Sequence, residues 1–530
     1  MSDTVPVATS AGPTPPVGPA RASGTRRGIW WAKRDLRLAD NDALLAAIED
    51  CDEVLVLWVL EPSLCRGEDA SALHHHAWGE ATAALRAAVK AIGGTFLLAL
   101  GETVDVLERL HAEDGFDALH AHQETGVELT FARDRAVRAW CVERGVRLTE
   151  HPQSGVIRGL TDRGKRQPII RARLVETAPR AAPARLRGWR PGHPNAGWPG
   201  WREVSGRPWP EEIERGLLQR VDETAGRAVL DTFLDRRGID YSGGISSPNS
   251  AFDAGSRLSA HIAWGTTSLR TIHHATAERA ALAKGSSDPD EKRWSKSLRA
   301  FGSRLHWHDH FAQRLESAPR MEFETLNTAH RDLPYTDDPA LLHAWRTGTT
   351  GYPMVDAAVR CLRATGFMNF RMRAMLVTTA CYGLELSWRT VQYPYAQLFR
   401  DYEPGIHYPQ VQMQAGVVGI NTLRVYSPAK QFIDQDPEAV FVHRWVPELR
   451  AFGAADIRAF ETRALGDYPR PVADLRAGAA RTKAHLYEVR RSADGRAAAE
   501  RVLEQHGSRL PPAAREGTPN RRARKGTAGG

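Results

Sequence analysis

A doubly wound parallel α/β domain followed by an all-α domain is the architecture this sequence predicts, and three observations predict it. From residue 28 to about 152, strand-length apolar runs alternate with amphipathic stretches, the pattern of parallel strands joined by crossover helices. From about 226 to 505, apolar residues recur at three- and four-residue spacing, the period of helices. Between them, residues 153–225 are rich in Arg, Pro, Gly and Trp, including Trp189, Trp198, Trp201 and Trp209. A long irregular segment with several tryptophans reads as a connector that packs against its neighbours.

In the first domain the strands are GIWWAKR, EVLVLWVLE, TFLLALG, ALHAHQE and RLTEHP. The helices between them are NDALLAAIE, SALHHHAWGEATAALRAAVKAIG, TVDVLERLHA and FARDRAVRAWCVERG. No Gly-x-Gly-x-x-Gly follows the first strand, so a dinucleotide site of the usual kind is not supported. His74, His75 and His76 are adjacent on a helix and point in different directions, so they read as solvated or capping residues rather than metal ligands. The second domain is read as helices from ETAGRAVLDTFLDRR to KAHLYEVRRSADGRAAAERVLEQ, with SLRAFGSRLHWHDHFAQRLE, MVDAAVRCLRAT and FRMRAMLVTTACYGLELSW among them.

At 530 residues, with 42% hydrophobic and 25% charged, the chain is long enough for two cores. EVLVLWVLE is strand-sized and no apolar run reaches bilayer length; with no secretory signal pattern, a cytoplasmic protein is expected. Five cysteines, Cys51, Cys65, Cys141, Cys361 and Cys381, show no C-x-x-C spacing, so free, mostly buried thiols are expected, without a zinc site. Of the net charge of +8, residues 1–27 contribute +2 and residues 511–530 contribute +4. Basicity therefore belongs largely to the tails, residues 1–27 and 506–530, which are expected to be disordered.

The chemistry concentrates in residues 351–449. Arg373 on a mostly apolar helix and Asp401 on the loop beyond it lie in a segment too apolar to leave either ion unpaired. Met, Phe, Trp and Tyr beside Gly and Pro suit a fixed pocket for a flat aromatic ligand. The order T-G-x-P-x-V-D-A-x-x-R-x-L, G-x-M-x-x-R-x-R, D-x-E and W-x-P-E-L resembles the FAD-binding domain of the DNA photolyase and cryptochrome family. The opening W-A-K-R-D-L-R-L-A-D-N is similar to the start of that family's N-terminal domain: Arg34, Asp35, Arg37, Asp40 and Asn41 match, and Ala32 replaces the usual aromatic. The resemblance implies an antenna domain over 28–152, a connector over 153–225 and an FAD-binding domain over 226–505. In the family the first domain often carries a light-harvesting chromophore, whose identity here is open.

By the same resemblance, Tyr241 and the run Gly255, Ser256, Arg257, Leu258 and Ser259 contact the FAD phosphates; read from the residues alone, that run opens a helix whose N–H groups suit a pyrophosphate. Arg373 and Asp401 match a pair beside the flavin N5 edge, with Glu403 near the ring or its ribityl chain. A cation there favours a reduced, anionic flavin. His407 takes the place of an asparagine facing N5. Trp307 matches the tryptophan on which a flipped-out pyrimidine dimer stacks, with Arg304, His308, Phe370 and Arg371 along the DNA-binding face. Arg304 stands where a glutamate is usual, His308 where an arginine is, and Asn369–Phe370 where a His–Asn pair is; the His–His pair of enzymes acting on (6-4) lesions is missing. Some bacterial members hold an iron–sulfur cluster on four cysteines of the helical domain, where this chain has only Cys361 and Cys381, so no cluster is expected.

The family's inner electron-donor tryptophan falls at Val411, with Trp388 in the middle place and Tyr335 outermost. Photoreduction by three tryptophans is therefore expected to fail unless Tyr382, Tyr402 or Tyr408 substitutes. The leading expectation is a monomeric photolyase that binds FAD and UV-damaged DNA, donates an electron from excited reduced FAD to a cyclobutane pyrimidine dimer, and regains it after the dimer splits. A cryptochrome-like photoreceptor that binds FAD without repair is the alternative, and a flavoprotein with dark redox chemistry a third.

Overall fold

The structure, a computed structural model, describes residues 24–507. The expected disordered tails lie outside these residues except at their inner ends, where Arg27 already opens the first strand. Strands β1 (Arg27–Ala32), β2 (Glu53–Leu60), β3 (Thr95–Leu100), β4 (Ala118–His122) and β5 (Arg147–His151) form one parallel sheet in the order β3-β2-β1-β4-β5. Gly28 lies opposite Val54 on one side and Ala118 on the other. The chain leaves β1 toward β3, then returns to add β4 and β5, so its crossover helices cover both faces. Helices α1 (Asp42–Asp50) and α2 (Ala72–Ala91) bury Trp30, Val54 and Val56; α3 (Thr103–Asp114) and α4 (Glu128–Arg144) bury Ile29, Trp31, Leu55 and Leu57. Burial on both faces is why these strands read as unbroken apolar runs. Asn41 caps α1, its side chain accepting from the Leu44 N–H at 2.9 Å.

The connector completes this domain. Trp189 enters the α3/α4 face and donates its indole N–H to the Gly28 carbonyl at 3.1 Å. Trp201 is buried on the α1/α2 face, and Trp198 lies 5.5 Å from Trp58. These tryptophans overturn the reading of the histidine triplet. His75 packs against Trp198 and Trp201, and His74 Nε2 donates to the Phe399 carbonyl at 2.9 Å. Both are buried rather than solvated, and burial lowers them to about 4 and about 3.

In the second domain we label α5 (Glu223–Asp235), α6 (Leu269–Ala283), α7 (Pro289–Ser317), α8 (Pro353–Thr365), α9 (Phe370–Thr378), α10 (Trp388–Ala396) and α11 (Pro404–Gln414). Helices α8, α9 and α10 share a core of Val355, Leu362, Met372, Met375, Trp388 and Val391. The helix that the run from Phe370 predicts widens into a π turn at Thr379–Gly383. The long α7 packs along α11, where a Cβ on Gly405 would lie 3.0 Å from Ala312; only glycine allows that approach.

The two domains are joined by buried polar contacts. Arg34 donates to the carbonyls of Ala263 (3.2 Å) and Tyr402 (3.1 Å), and Arg37 to that of Gly265 at 2.9 Å. Arg400 pairs with Glu80, and the Trp264 indole donates to the Arg400 carbonyl at 2.7 Å. Asp35 accepts from the Trp30 indole and bonds His122 at 2.7 Å. The opening motif is thus the joint between the domains. Cys65, Cys141, Cys361 and Cys381 are buried free thiols and Cys51 is half-buried. Among the described residues no helix is long and apolar enough to cross a membrane.

Candidate functional site

The start of α9 builds the centre of the site. Arg373 donates from Nε to the Met368 carbonyl (2.6 Å) and from Nη2 to Asp401 Oδ2 (2.7 Å), with its guanidinium 4.3 Å from the Phe399 ring. Arg257 approaches from the other side, 3.6 Å over Phe367 and 5.1 Å from Phe252. Its burial pulls it down to about 10, opposed by the charge of Asp401. Asn369 anchors the segment by donating to the carbonyls of Ile245 and Ser246.

Four buried polar atoms here have no protein partner: Arg257 Nη1, Arg371 Nε, Asn369 Oδ1 and Asp401 Oδ1. Buried polar atoms are ordinarily paired. The orphan donor of Arg257, beside aromatic rings, and the orphan acceptors of Asn369 and Asp401 fit a large, flat, polar ligand such as FAD.

His407, on α11, lies with ring centroids 5.3–6.3 Å from Tyr395, Phe399, Tyr402 and Tyr408. Burial lowers it to about 4, so it is neutral at pH 7. Its Nε2 sits 2.9 Å from the Gln392 carbonyl, which can only accept; Nε2 therefore carries the proton and Nδ1 is an acceptor.

Several expected residues sit differently from the sequence reading. Gly255, Ser256, Arg257 and Leu258 precede a helix of only five residues, Ser259–Ala263, with Arg257 at φ 61°. The run is a bend between short helices, not the first turn of a long one, so little helix dipole is available there. Tyr241 is buried against Phe233 and Phe301, and burial pushes its phenol up to about 12. His308 turns inward from the expected DNA face. It bonds Glu403 at 2.8 Å and faces Asp309 at 3.4 Å; burial opposes its charge, but the two carboxylates lift it to about 10. Trp307, one residue earlier on α7, points outward at 41% exposure with Arg304 exposed nearby, and Phe370 is 53% exposed. Trp307 leans on Phe311 with ring centroids 5.7 Å apart. Trp388 and Val411 are buried, and Arg389 lies 4.7 Å over the Trp388 ring. The Tyr335 phenol is raised by burial.

A second cleft, narrow and partly open, with about 80 Å³ of internal room, lies between the domains at the carboxyl ends of β1 and β2, the place where open α/β sheets bind ligands. Trp31, Trp58, Trp78, Trp264, Asp69 and Tyr402 are among its walls. Beside it Lys33 bonds Asp134 at 2.8 Å, and Arg133 pairs with Glu61 and Glu124. The sequence reading missed Asp69, which accepts from the Tyr402 hydroxyl at 2.7 Å. Among the described residues, donor atoms of Asp50, Cys51 and His120 lie within 4.8 Å of one another. Asp50 is already paired with Arg26 and Arg147, and burial pushes the Cys51 thiol up to about 11; neither favours a cation.

A family model described as the FAD binding domain of DNA photolyase matches residues 301–488, and one described as DNA photolyase matches residues 28–164. A deoxyribodipyrimidine photo-lyase of Thermus thermophilus is 30% identical over 84% of this chain and 99% of its own length. A cryptochrome DASH of Gloeobacter violaceus is 27% identical over 87% of this chain and 95% of its own. The crystal structure of a bacterial class III photolyase from Agrobacterium tumefaciens superposes with a TM-score of 0.76 at 25% identity, covering 89% of this chain and 99% of that one. The chain belongs to the DNA photolyase and cryptochrome family. Its helical domain is that family's FAD-binding domain, and FAD is its cofactor.

Proposed function

We propose that this protein is a photolyase that uses light to split cyclobutane pyrimidine dimers in DNA. The observation that carries this reading is Trp307. It is the one tryptophan among the described residues that stands as a large exposed hydrophobic group, on a helix whose inner face is tied through His308 to Glu403. An indole left in water gains its burial energy only when a ligand covers it, and a flipped base is a flat ligand. Arg371 and Arg304 would meet phosphates or base edges beside it. When bound and reduced, FAD supplies the light-driven electron. Arg373 and Asp401 hold the polar edge of its site, Arg257 and Tyr241 stand toward its phosphates, and neutral His407 offers an acceptor nitrogen toward it.

A cryptochrome-like photoreceptor is the second reading. It is favoured by the inward turn of His308 onto Glu403, which removes a charge from the DNA face. The deciding experiment uses chemically reduced protein, blue light and an oligonucleotide carrying one cyclobutane dimer, with a dark control. Light-dependent recovery of the two pyrimidines supports the photolyase; bound FAD with no repair in single or double strands supports the photoreceptor. Trp307→Ala is expected to weaken binding to the damaged oligonucleotide by about 1–3 kcal/mol while leaving the flavin spectrum nearly unchanged.

A further inference from the structure

With Val411 at the innermost place of the usual relay, oxidised FAD needs another first donor. The retained Trp388 is poorly placed to serve. The half-exposed Arg389 guanidinium over its ring disfavours a tryptophan cation, because like charges repel.

Three tyrosines surround His407, and they differ in where their hydroxyls point. Tyr395 donates to the Arg373 carbonyl at 3.0 Å, a very weak base. Tyr408 has the Tyr402 oxygen 3.2 Å away. Tyr402 alone of the three donates to a carboxylate, Asp69 Oδ2 at 2.7 Å. A phenol loses an electron readily only when its proton can leave at the same moment, and a carboxylate at hydrogen-bond distance provides that route. Tyr402 also follows Asp401 directly, its ring is 5.4 Å from His407, and its other side is a wall of the second cleft.

We propose that Tyr402, with Asp69 as proton acceptor, is the electron donor that reduces light-excited oxidised FAD in this protein, and that the second cleft admits the reductant that restores it. This rests on the reading that FAD occupies the face formed by Arg373, Asp401 and His407. One electron passes from the phenol to excited FAD as the O–H proton moves to Asp69, leaving a neutral tyrosyl radical and a carboxylic acid. A soluble thiolate reaching the cleft then gives up one electron and becomes a thiyl radical, and Asp69 returns its proton to the phenolate. The sum is one electron moved from thiolate to FAD. His74 stacks on Tyr402 at 4.9 Å, and Trp264, Trp78, Trp58 and Trp198 continue outward in steps of 5.5–6.3 Å. A neutral tyrosyl radical is a weaker oxidant than a tryptophan cation, so the hole stays on Tyr402 instead of moving along these rings.

The test is flash photolysis and steady blue-light reduction of the oxidised holoprotein with a thiol present. The parent is expected to show a transient tyrosyl spectrum, and Tyr402→Phe to lose it and to photoreduce at least about tenfold more slowly, roughly 1.4 kcal/mol in barrier. Asp69→Asn, at a residue outside the flavin face, is expected to slow photoreduction as well, and serves if Tyr402→Phe fails to hold FAD. Tyr402→Phe or Asp69→Asn photoreducing at the parent rate, or a parent transient that is tryptophanyl and vanishes in Trp388→Phe, would overturn the proposal. Dimer repair by the parent after dithionite reduction is measured separately. Its loss with FAD bound counts against the photolyase reading alone, whereas a protein purified without FAD that cannot be loaded overturns both.

Discussion

Two histidines, His407 buried and His308 half-buried, set opposite edges of the pH range in which the site is stable. His308 is lifted to about 10 from an ordinary 6.5, so its contribution is complete below about 6.5 and is lost as pH rises through about 10. His407 is lowered to about 4 from 6.5; there the unfolded chain binds the extra proton, and stability falls as pH drops from 6.5 toward 4. Thermal unfolding across pH 4–10 is expected to show both flanks, and His308→Gln to flatten the alkaline one; an unchanged alkaline slope would refute the His308–Glu403 pairing. Arg373→Ala removes the partner of buried Asp401, a loss of about 3–5 kcal/mol for a broken buried pair, and is expected to yield protein with little FAD. Stoichiometric FAD in that variant would misplace the site. This pair was legible in the sequence because two opposite charges in a nearly apolar stretch had to meet. Tyr402 was legible only as one of three tyrosines that could stand in for the missing donor, and its partner Asp69, 333 residues away, was not: only the docking of α2's leading loop on the helical domain brings them together.

The α7–α11 contact governs the site at the level of elements. α7 carries outward-facing Trp307 and inward-facing His308, α11 carries His407, and Gly405 lets the two approach. Gly405→Ala is expected to cost about 1–3 kcal/mol through overpacking and to disturb His308–Glu403; Gly405→Ala with Ala312→Gly should recover part of it, read as Tm. Equal Tm in parent and Gly405→Ala would show the helices free to separate. The helical period found residues 297–316 of α7 but neither its first two turns from Pro289 nor its facing, since polar His308 and apolar Trp307 sit inverted relative to a simple amphipathic pattern. The expected helix start at Gly255 failed for a related reason: Ser and Gly favour caps and bends alike, and the five-residue helix that follows is too short to leave a periodic signal.

Across the whole molecule, the domains are held by buried ions as well as by apolar surface. Arg400, buried and paired with half-buried Glu80, is expected on replacement by Ala to leave that carboxylate without its partner and to lower Tm. Calorimetry should then resolve two transitions where the parent shows one; a single unshifted transition would deny the joint its role. The α/β then helical order was readable from periodicity, but the histidine triplet was misjudged because its cover comes from connector tryptophans more than a hundred residues later, beyond any local window. The same tryptophans bear on how the chain is made. Trp189 and Trp201 fill the two faces of a sheet whose last strand ends at His151. A nascent chain that has emerged only that far has all five strands and an open core on each side. Synthesis must therefore advance about fifty residues further before the first domain can close, and during that interval the exposed strands of the sheet are the surface that a chaperone, or another nascent chain, will meet first.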